Sequence, residues 1–312
     1  MATAVVTKGF QLTTDDLTVL DWLARFPYMT NPMLARMLGR SEQTVTRRVR
    51  RLVGARLVRR VRWIQGSSDL LLATGLGIMT AGYVAETESG RIPDLFPAKV
   101  SAGVVEHNLS IADLAVSYYR LGHGVKSERE IQRLEVRGRA AGDLLTPLSF
   151  AAYPRPGRSP YVPDLIVVPN DPANPYSAMH GPDRRDGFLD LTDPVTYRVG
   201  REPRGNGSPI EEAVTDADGN QIAWGQVLPV LADPDGRPMA IEVELSAKRP
   251  AEYTSMLAGY RNAHHLVGVV WFTNERHIAM MLDRVTTQAG LTSNRVRVTE
   301  LVTWASTAGV AP

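Results

Sequence analysis

Residues 41–53, SEQTVTRRVRRLV, restrict the fold more than any other stretch of the chain. Val45, Val49, Leu52 and Val53 recur at i, i+4, i+7 and i+8, which is one buried stripe of an α-helix. The opposite face carries Gln43, Thr44, Thr46, Arg47, Arg50 and Arg51. Ser41 is placed to cap the helix, because its hydroxyl can accept from an orphan N–H of the first turn. Such a helix packs on a core along one side and offers cationic side chains along the other.

The flanking sequence supplies the core. Thr14 is expected to cap a helix near 15–26, with Leu17, Leu20, Leu23 and Ala24 on one face and Pro27 ending it. Thr30 caps a second short helix with Pro32 in its first turn and Met33, Leu34, Met37 and Leu38 apolar; Gly39 closes it. After the third helix, LVRRVRWIQGSSDLLLAT predicts a β-hairpin: strand 57–64, turn Gln65–Asp69, strand 70–73. Thr74 caps a short helix through Gly82. Three helices and a hairpin in this order form a winged helix-turn-helix over residues 1–85. The third helix then enters the major groove, with Gln43, Thr44, Thr46 and Arg47 at base edges. Arg50, Arg51, Arg59, Arg60 and Arg62 are placed for phosphates.

Charge agrees with that partner. The total of 35 Lys+Arg against 33 Asp+Glu leaves only +2, yet Arg36 to Arg62 holds ten arginines and one acid, Glu42. One basic end points to a polyanion bound there, namely double-stranded DNA, and a homodimer would read repeated half-sites. The chain has no cysteine, which excludes disulfides, thiolate zinc sites, Fe–S clusters and cysteine nucleophiles. It has no Gly-Lys dipeptide, hence no P-loop, no His-hydrophobic-His triplet and no HExxH. No apolar run is long enough to span a bilayer, and the N-terminal residues do not resemble a signal peptide. The expected location is cytoplasmic, on the nucleoid, with no membrane partner.

Residues 100–312 read as a second domain. Val104–Leu121 is an amphipathic helix stopped by Gly122 and Gly124, followed by a strand near Val125–Glu130. Tyr161–Val168, Met239–Leu245, His265–Phe272 and Arg295–Thr303 are strands; Pro250–Asn262 and Asn274–Gln288 are helices. Residues 169–238 are rich in Pro, Gly and Asp and read as a long, partly mobile insertion with weak strands such as Ile222–Leu228. The order α-β-β-(insertion)-β-α-β-α-β gives a mixed α/β sheet with helices outside.

Acids interrupt the apolar strands at two places. Asp164 follows Pro163, and Glu242 and Glu244 alternate with Ile241, Val243 and Leu245. Residues i and i+2 of a strand share a face, so Glu242 and Glu244 point together. Packed carboxylates raise each other's pKa unless a cation offsets them. Lys248 is one candidate cation, and a divalent metal held by Asp164 and Glu242 is another, Mg²⁺ or Mn²⁺ suiting hard oxygen ligands. Tyr118-Tyr119, His264-His265 and the Ser246/Lys248 pair have structural explanations: an apolar helix, a helix-to-strand turn and a strand end.

With the winged helix, the pieces EHNLSIADL (106–114), SEREI (127–131), PDLIVV (163–168) and IEVELSAKRPAEYTSMLAGYR (241–261) make the chain resemble the replication-relaxation family. The resemblance covers most of the chain outside 169–238. The second domain is similar to the PD-(D/E)xK nuclease fold, an α-β-β-β-α-β core with Pro-Asp on one strand and Glu-x-(Lys or Glu) on the next. The resemblance implies a protein of a plasmid, phage or other mobile element that acts in replication, transcription or DNA relaxation. Asp164 and Glu242 would be the metal carboxylates, with Glu106 or Glu128 as an extra acid. Glu244 stands where the nuclease pattern commonly has Lys, so Lys248 would take the basic role. Three functions follow. One is a sequence-specific DNA-binding regulator. Another is a metal-dependent endonuclease or nickase targeted by the winged helix, cutting through a metal-activated water. The third is a protein-binding module of a replication or conjugation complex.

Overall fold

A computed structural model describes residues 11–63, 69–82, 102–132, 161–176, 195–200, 225–231, 233, 235–292 and 294–301. These residues divide into two compact units, one up to Val116 and one from Ser117 onward. The division falls inside one helix.

In the first unit, α1 spans Thr14–Arg25, α2 Asn31–Leu38 and α3 Glu42–Gly54. The cap of α1 is Thr13, one residue earlier than the sequence predicts. Its hydroxyl accepts from the Asp16 N–H while Asp16 accepts from the Thr13 N–H, a reciprocal box that Thr14 has no acid to complete. Thr30 and Ser41 cap α2 and α3 as expected. Gly39 ends α2 at φ 61°, donating to the Arg36 carbonyl, and Arg40 donates to that of Ala35. This Schellman closure turns the chain into α3 within three residues.

The end of α3 uses the same closure with a different residue. Arg56 adopts φ 59°, Arg56 N–H donates to Val53, and Leu57 N–H donates to Leu52. A side chain in the left-handed region costs about 1–2 kcal/mol. Arg56→Gly is therefore expected to raise the unfolding free energy by about 1 kcal/mol, read from the urea midpoint at unchanged slope.

The wing is β1 (Val58–Val61) antiparallel to β2 (Leu70–Ala73), with Val58 opposite Ala73 and Val61 opposite Leu70. The tip at 64–68 lies outside the described residues. Met29, between α1 and α2, bridges Leu71 and adds a one-residue third strand, too short for periodicity to signal. Next come α4 (Gly75–Thr80) and α5 (Ala102–Arg120). Gly77 sits where a Cβ would collide with the Leu57 carbonyl, which lets α4 close on β1. Val105 of α5 joins Tyr28, Leu70 and Leu72 in a small core behind the wing.

In the second unit the strands are β3 (Gly124–Ser127), β4 (Leu165–Val168), β5 (Val195–Gly200), β6 (Gly225–Val230), β7 (Met239–Val243), β8 (Val269–Thr273) and β9 (Val296–Glu300). Helices α6 (Pro250–Asn262) and α7 (Arg276–Gln288) follow β7 and β8. One sheet runs β3-β4-β7-β8-β9. β3/β4 and β4/β7 are antiparallel; β7/β8 and β8/β9 are parallel. The helical crossovers α6 and α7 are what parallel neighbours require. The mixed α/β order read from the sequence is present. Every residue of β7 and β8 is buried, as central strands must be. The core against α6 and α7 contains Ala240, Tyr253, Leu257, Tyr260, Trp271, Ile278 and Leu282.

Within the segment read as an insertion, the described residues are 169–176, 195–200, 225–231, 233 and 235–238. β5 and β6 pair over six residues, and the Tyr118 hydroxyl donates to the Pro229 carbonyl at 2.8 Å. Asn174 Nδ2 donates to the Tyr119 and His123 carbonyls, both at 2.7 Å, closing the end of α5. Asp233, 1% exposed, receives three bonds from the Arg237 side chain and one from its N–H. Burial opposes ionisation of Asp233, but the Arg237 bonds override it and hold the carboxyl below its ordinary 3.8. A depressed carboxyl adds stability above its unfolded value and loses it as pH falls toward the folded one. The stability gap between wild type and Asp233→Asn should therefore be constant near neutrality and shrink as pH falls below 3.8.

Candidate nucleic-acid interface and buried acidic cluster

The first site is the outer face of α3. Val45, Val49 and Leu52 are fully buried and Val53 half-buried, so the expected stripe is the inward side. Gln43, Arg47, Arg50 and Arg51 are exposed on the outward side. Thr44 and Thr46 are half-buried, and the Thr44 hydroxyl lies 2.9 Å from that of Ser41, inside the cap. On the wing Arg59, Arg60 and Arg62 are exposed. Arg60 Nε is 3.3 Å from Asp69 across the hairpin. The fold thus gathers these residues onto α3 and the wing.

Three other arginines of the basic run pair with acids far away in the chain. Arg48 bonds Asp16 at 2.9 Å, Asp15 at 3.1 Å and the Thr13 hydroxyl; its side chain is 18% exposed. It fixes the start of α1 to α3. Arg36 pairs with Asp113 of α5. Arg40 in the turn before α3 lies 3.6 Å from Asp15. Sequence reading missed these pairs because the partners are far away in the chain.

The second site lies in the α/β unit. Glu242 and Glu244 share the α6-facing side of β7 and its end; they are 4% and 3% exposed. Tyr161 donates to Glu242 Oε2 at 2.8 Å, and Tyr260 of α6 donates to Oε1. Tyr161 and Tyr260 meet edge to face at 6.2 Å, and Tyr260 meets Trp271 at 5.5 Å. Asp164, just before β4, accepts from the Val243 N–H at 2.8 Å. Its carbonyl accepts from the Glu128 N–H at 3.2 Å, while the Glu128 side chain accepts from Gln132. Glu106 is exposed on α5 in the first unit. Lys248 Nζ bonds Glu244, and the Lys248 N–H donates to the Tyr253 hydroxyl at 3.2 Å.

Burial, then the Asp164 charge, push the Glu242 carboxyl well above its ordinary value, against the pull of the two tyrosines. Burial also raises Tyr161 and Tyr260, and the Glu242 charge adds to this. Burial works against the Lys248 ammonium, but the bond to Glu244 prevails and its pKa rises. In this arrangement Lys248 offsets the buried Glu244 carboxylate. The donor set does not suit Mg²⁺ or Mn²⁺. Both Glu242 oxygens already accept hydroxyls, Glu244 is paired with Lys248, and a hard cation needs several open oxygens. Among the described residues no three His, Asp or Glu side chains are grouped to hold a metal ion.

The remaining candidates are structural. Tyr118 is fully buried, and burial raises its pKa well above the ordinary value. Ser246 is exposed beyond β7. The His264 carbonyl accepts from Arg237, and burial, with His264 alongside, lowers the pKa of His265. Tyr161 and Tyr260 were not singled out from sequence. Only their proximity to Asp164 and to the end of α6 could have flagged them.

Among the described residues no helix is long and apolar enough to cross a membrane. Comparison with known proteins agrees with the N-terminal geometry. Residues 10–62, from the start of α1 through the first wing strand, match the MarR family. No curated protein and no solved structure matches the chain. The chain therefore carries an N-terminal winged helix-turn-helix that is similar over residues 10–62 to the MarR family, followed in sequence by a mixed α/β unit that the match does not reach.

Proposed function

We propose that this protein is a sequence-specific DNA-binding regulator. The winged helix, residues 1–85, reads double-stranded DNA with α3 in the major groove. The α/β domain, 100–312, is a nuclease-like scaffold that supplies dimerisation or a partner surface. The observation that carries this reading is the exposed row Gln43, Arg47, Arg50 and Arg51, opposite the buried stripe of α3 and beside the wing arginines. Gln43 and Arg47 are one turn apart, the arrangement that offers an amide to adenine and a guanidinium to guanine. Arg50, Arg51, Arg59, Arg60 and Arg62 line up for phosphates. The resemblance to replication-relaxation proteins assigns the regulation to replication or transcription of a plasmid, phage or other mobile element.

The test is fluorescence anisotropy on a duplex selected from a random pool, over a salt series. Each phosphate neutralised contributes about 0.9 to the fall of log affinity with log salt. A slope near zero would remove the DNA-binding reading and favour the protein-binding module.

The endonuclease alternative draws on the α-β-β-β-α-β order and on Asp164 lying against β7 beside Glu242. Its site residues would be Asp164, Glu242, Glu244 and Lys248, and the donor set above does not provide the metal position it requires. Supercoiled plasmid incubated with Mg²⁺ or Mn²⁺ should stay intact. Nicking by the wild type that Asp164→Ala abolishes would restore the nuclease.

A further inference from the structure

Arg40 and Asp15 carry an inference that rests on the DNA-binding reading and extends it. Arg40 follows the left-handed Gly39 and precedes the cap Ser41, so it stands at the entry of α3. Its side chain is 56% exposed, and Nε lies 3.6 Å from Asp15 Oδ2. The same Asp15 oxygen lies 3.1 Å from Arg48 Nη2. One carboxylate oxygen is thus shared by two guanidinium groups, as a phosphate oxygen would be.

The two arginines are held unequally. Arg48 keeps Asp16 and Thr13 whatever Asp15 does, and it is mostly buried. Among the described residues Arg40 has one ion pair, long and solvent-screened, a kind of contact that contributes little and yields to a stronger anion. The flank of a recognition helix entering the groove runs along the phosphate strand. We propose that Arg40 is a phosphate-binding residue of the winged helix, held in the free protein by Asp15, whose carboxylate the DNA displaces. Asp15 then acts as a built-in competitor. Because phosphate contacts carry no sequence information, it restrains binding to all duplexes alike.

The experiment uses the full chain and a fluorescein-labelled random-sequence duplex over a salt series. Asp15→Asn should tighten binding by about 3- to 10-fold at low salt and steepen the salt slope by up to about 0.9. Asp21→Asn is the control: it removes the same charge from α1, but Asp21 pairs with Arg25. It should shift affinity far less. Arg40→Gln should weaken binding and cancel the gain from Asp15→Asn in the double variant.

Equal gains from the Asp15 and Asp21 variants would overturn the proposal, because general charge would explain both. A gain that survives Arg40→Gln would overturn it too, and so would an unchanged affinity in Asp15→Asn with an unaltered melting temperature. If Asp15→Asn does not fold, Arg40→Gln alone decides: unchanged affinity and slope remove Arg40 from the phosphate set. Failure of the wild type to bind any duplex is a separate result. It removes the DNA-binding reading itself and this inference with it.

Discussion

Arg47→Ala is expected to lower affinity for the selected duplex by about 5- to 150-fold, the 1–3 kcal/mol that a bidentate contact to one base is worth. Arg47 is exposed one turn after Gln43 on the outward face of α3, and its neighbours Val45 and Val49 pin the helix from behind. The loss should concentrate on the cognate sequence and change little on random duplex, since base edges carry the specificity. Arg50→Ala, further along the same face, should weaken both duplexes by a similar factor and lower the salt slope by about 0.9. Anisotropy on the two duplexes separates these behaviours. If Arg47→Ala and Arg50→Ala weaken both duplexes equally, Arg47 is a phosphate contact and base reading lies elsewhere on α3. Thermal melts accompany each variant; exposed positions away from the core should leave the midpoint nearly unchanged.

Glu242→Ala is expected to cost about 2–4 kcal/mol of stability, to be read from the urea midpoint. The substitution removes the acceptor of the Tyr161 and Tyr260 hydroxyls at a carboxylate that is 4% exposed. Glu242→Gln should cost less than half as much, because an amide can accept from one tyrosine and donate to the other. DNA affinity of folded Glu242→Gln should match the wild type. Mn²⁺ should leave the melting temperature of the wild type unchanged, since a ligand that binds the native state raises it by mass action. A Mn²⁺-dependent rise that Glu242→Gln abolishes would sink the structural reading of this cluster and return it to metal chemistry.

Much of the local structure was legible. The caps Thr30, Ser41 and Thr74, the Gly39 stop and the period of Val45, Val49 and Leu52 act within one or two turns, so spacing alone reports them. The alternation in β7 flagged Glu242 and Glu244 as a pair on one side of the strand for the same reason. Legibility failed where two residue types compete or where a partner is remote. Thr13 and Thr14 are equally good caps in isolation, and only the Asp16 side chain selects Thr13. Arg48 and Arg47 are adjacent and chemically identical, yet one is bound to α1 and the other faces outward. The hydrogen bonds of Asn174 to the Tyr119 and His123 carbonyls, and the Arg237 bonds to the 1% exposed Asp233, left no periodic trace in the sequence.

The sequence by itself determined the element types, their order and which face of α3 carries charge, because helix and strand periods and caps are short-range physics. Tertiary structure alone decided which charges remain available. Arg36 meets Asp113 and Arg48 meets Asp16 across long sequence separations, and Tyr161 and Tyr260 converge on Glu242 only once β4, β7 and α6 have packed. An ionisable side chain is defined chemically by its neighbours in a low-dielectric interior, and those neighbours are fixed by chain closure over tens of residues rather than by spacing.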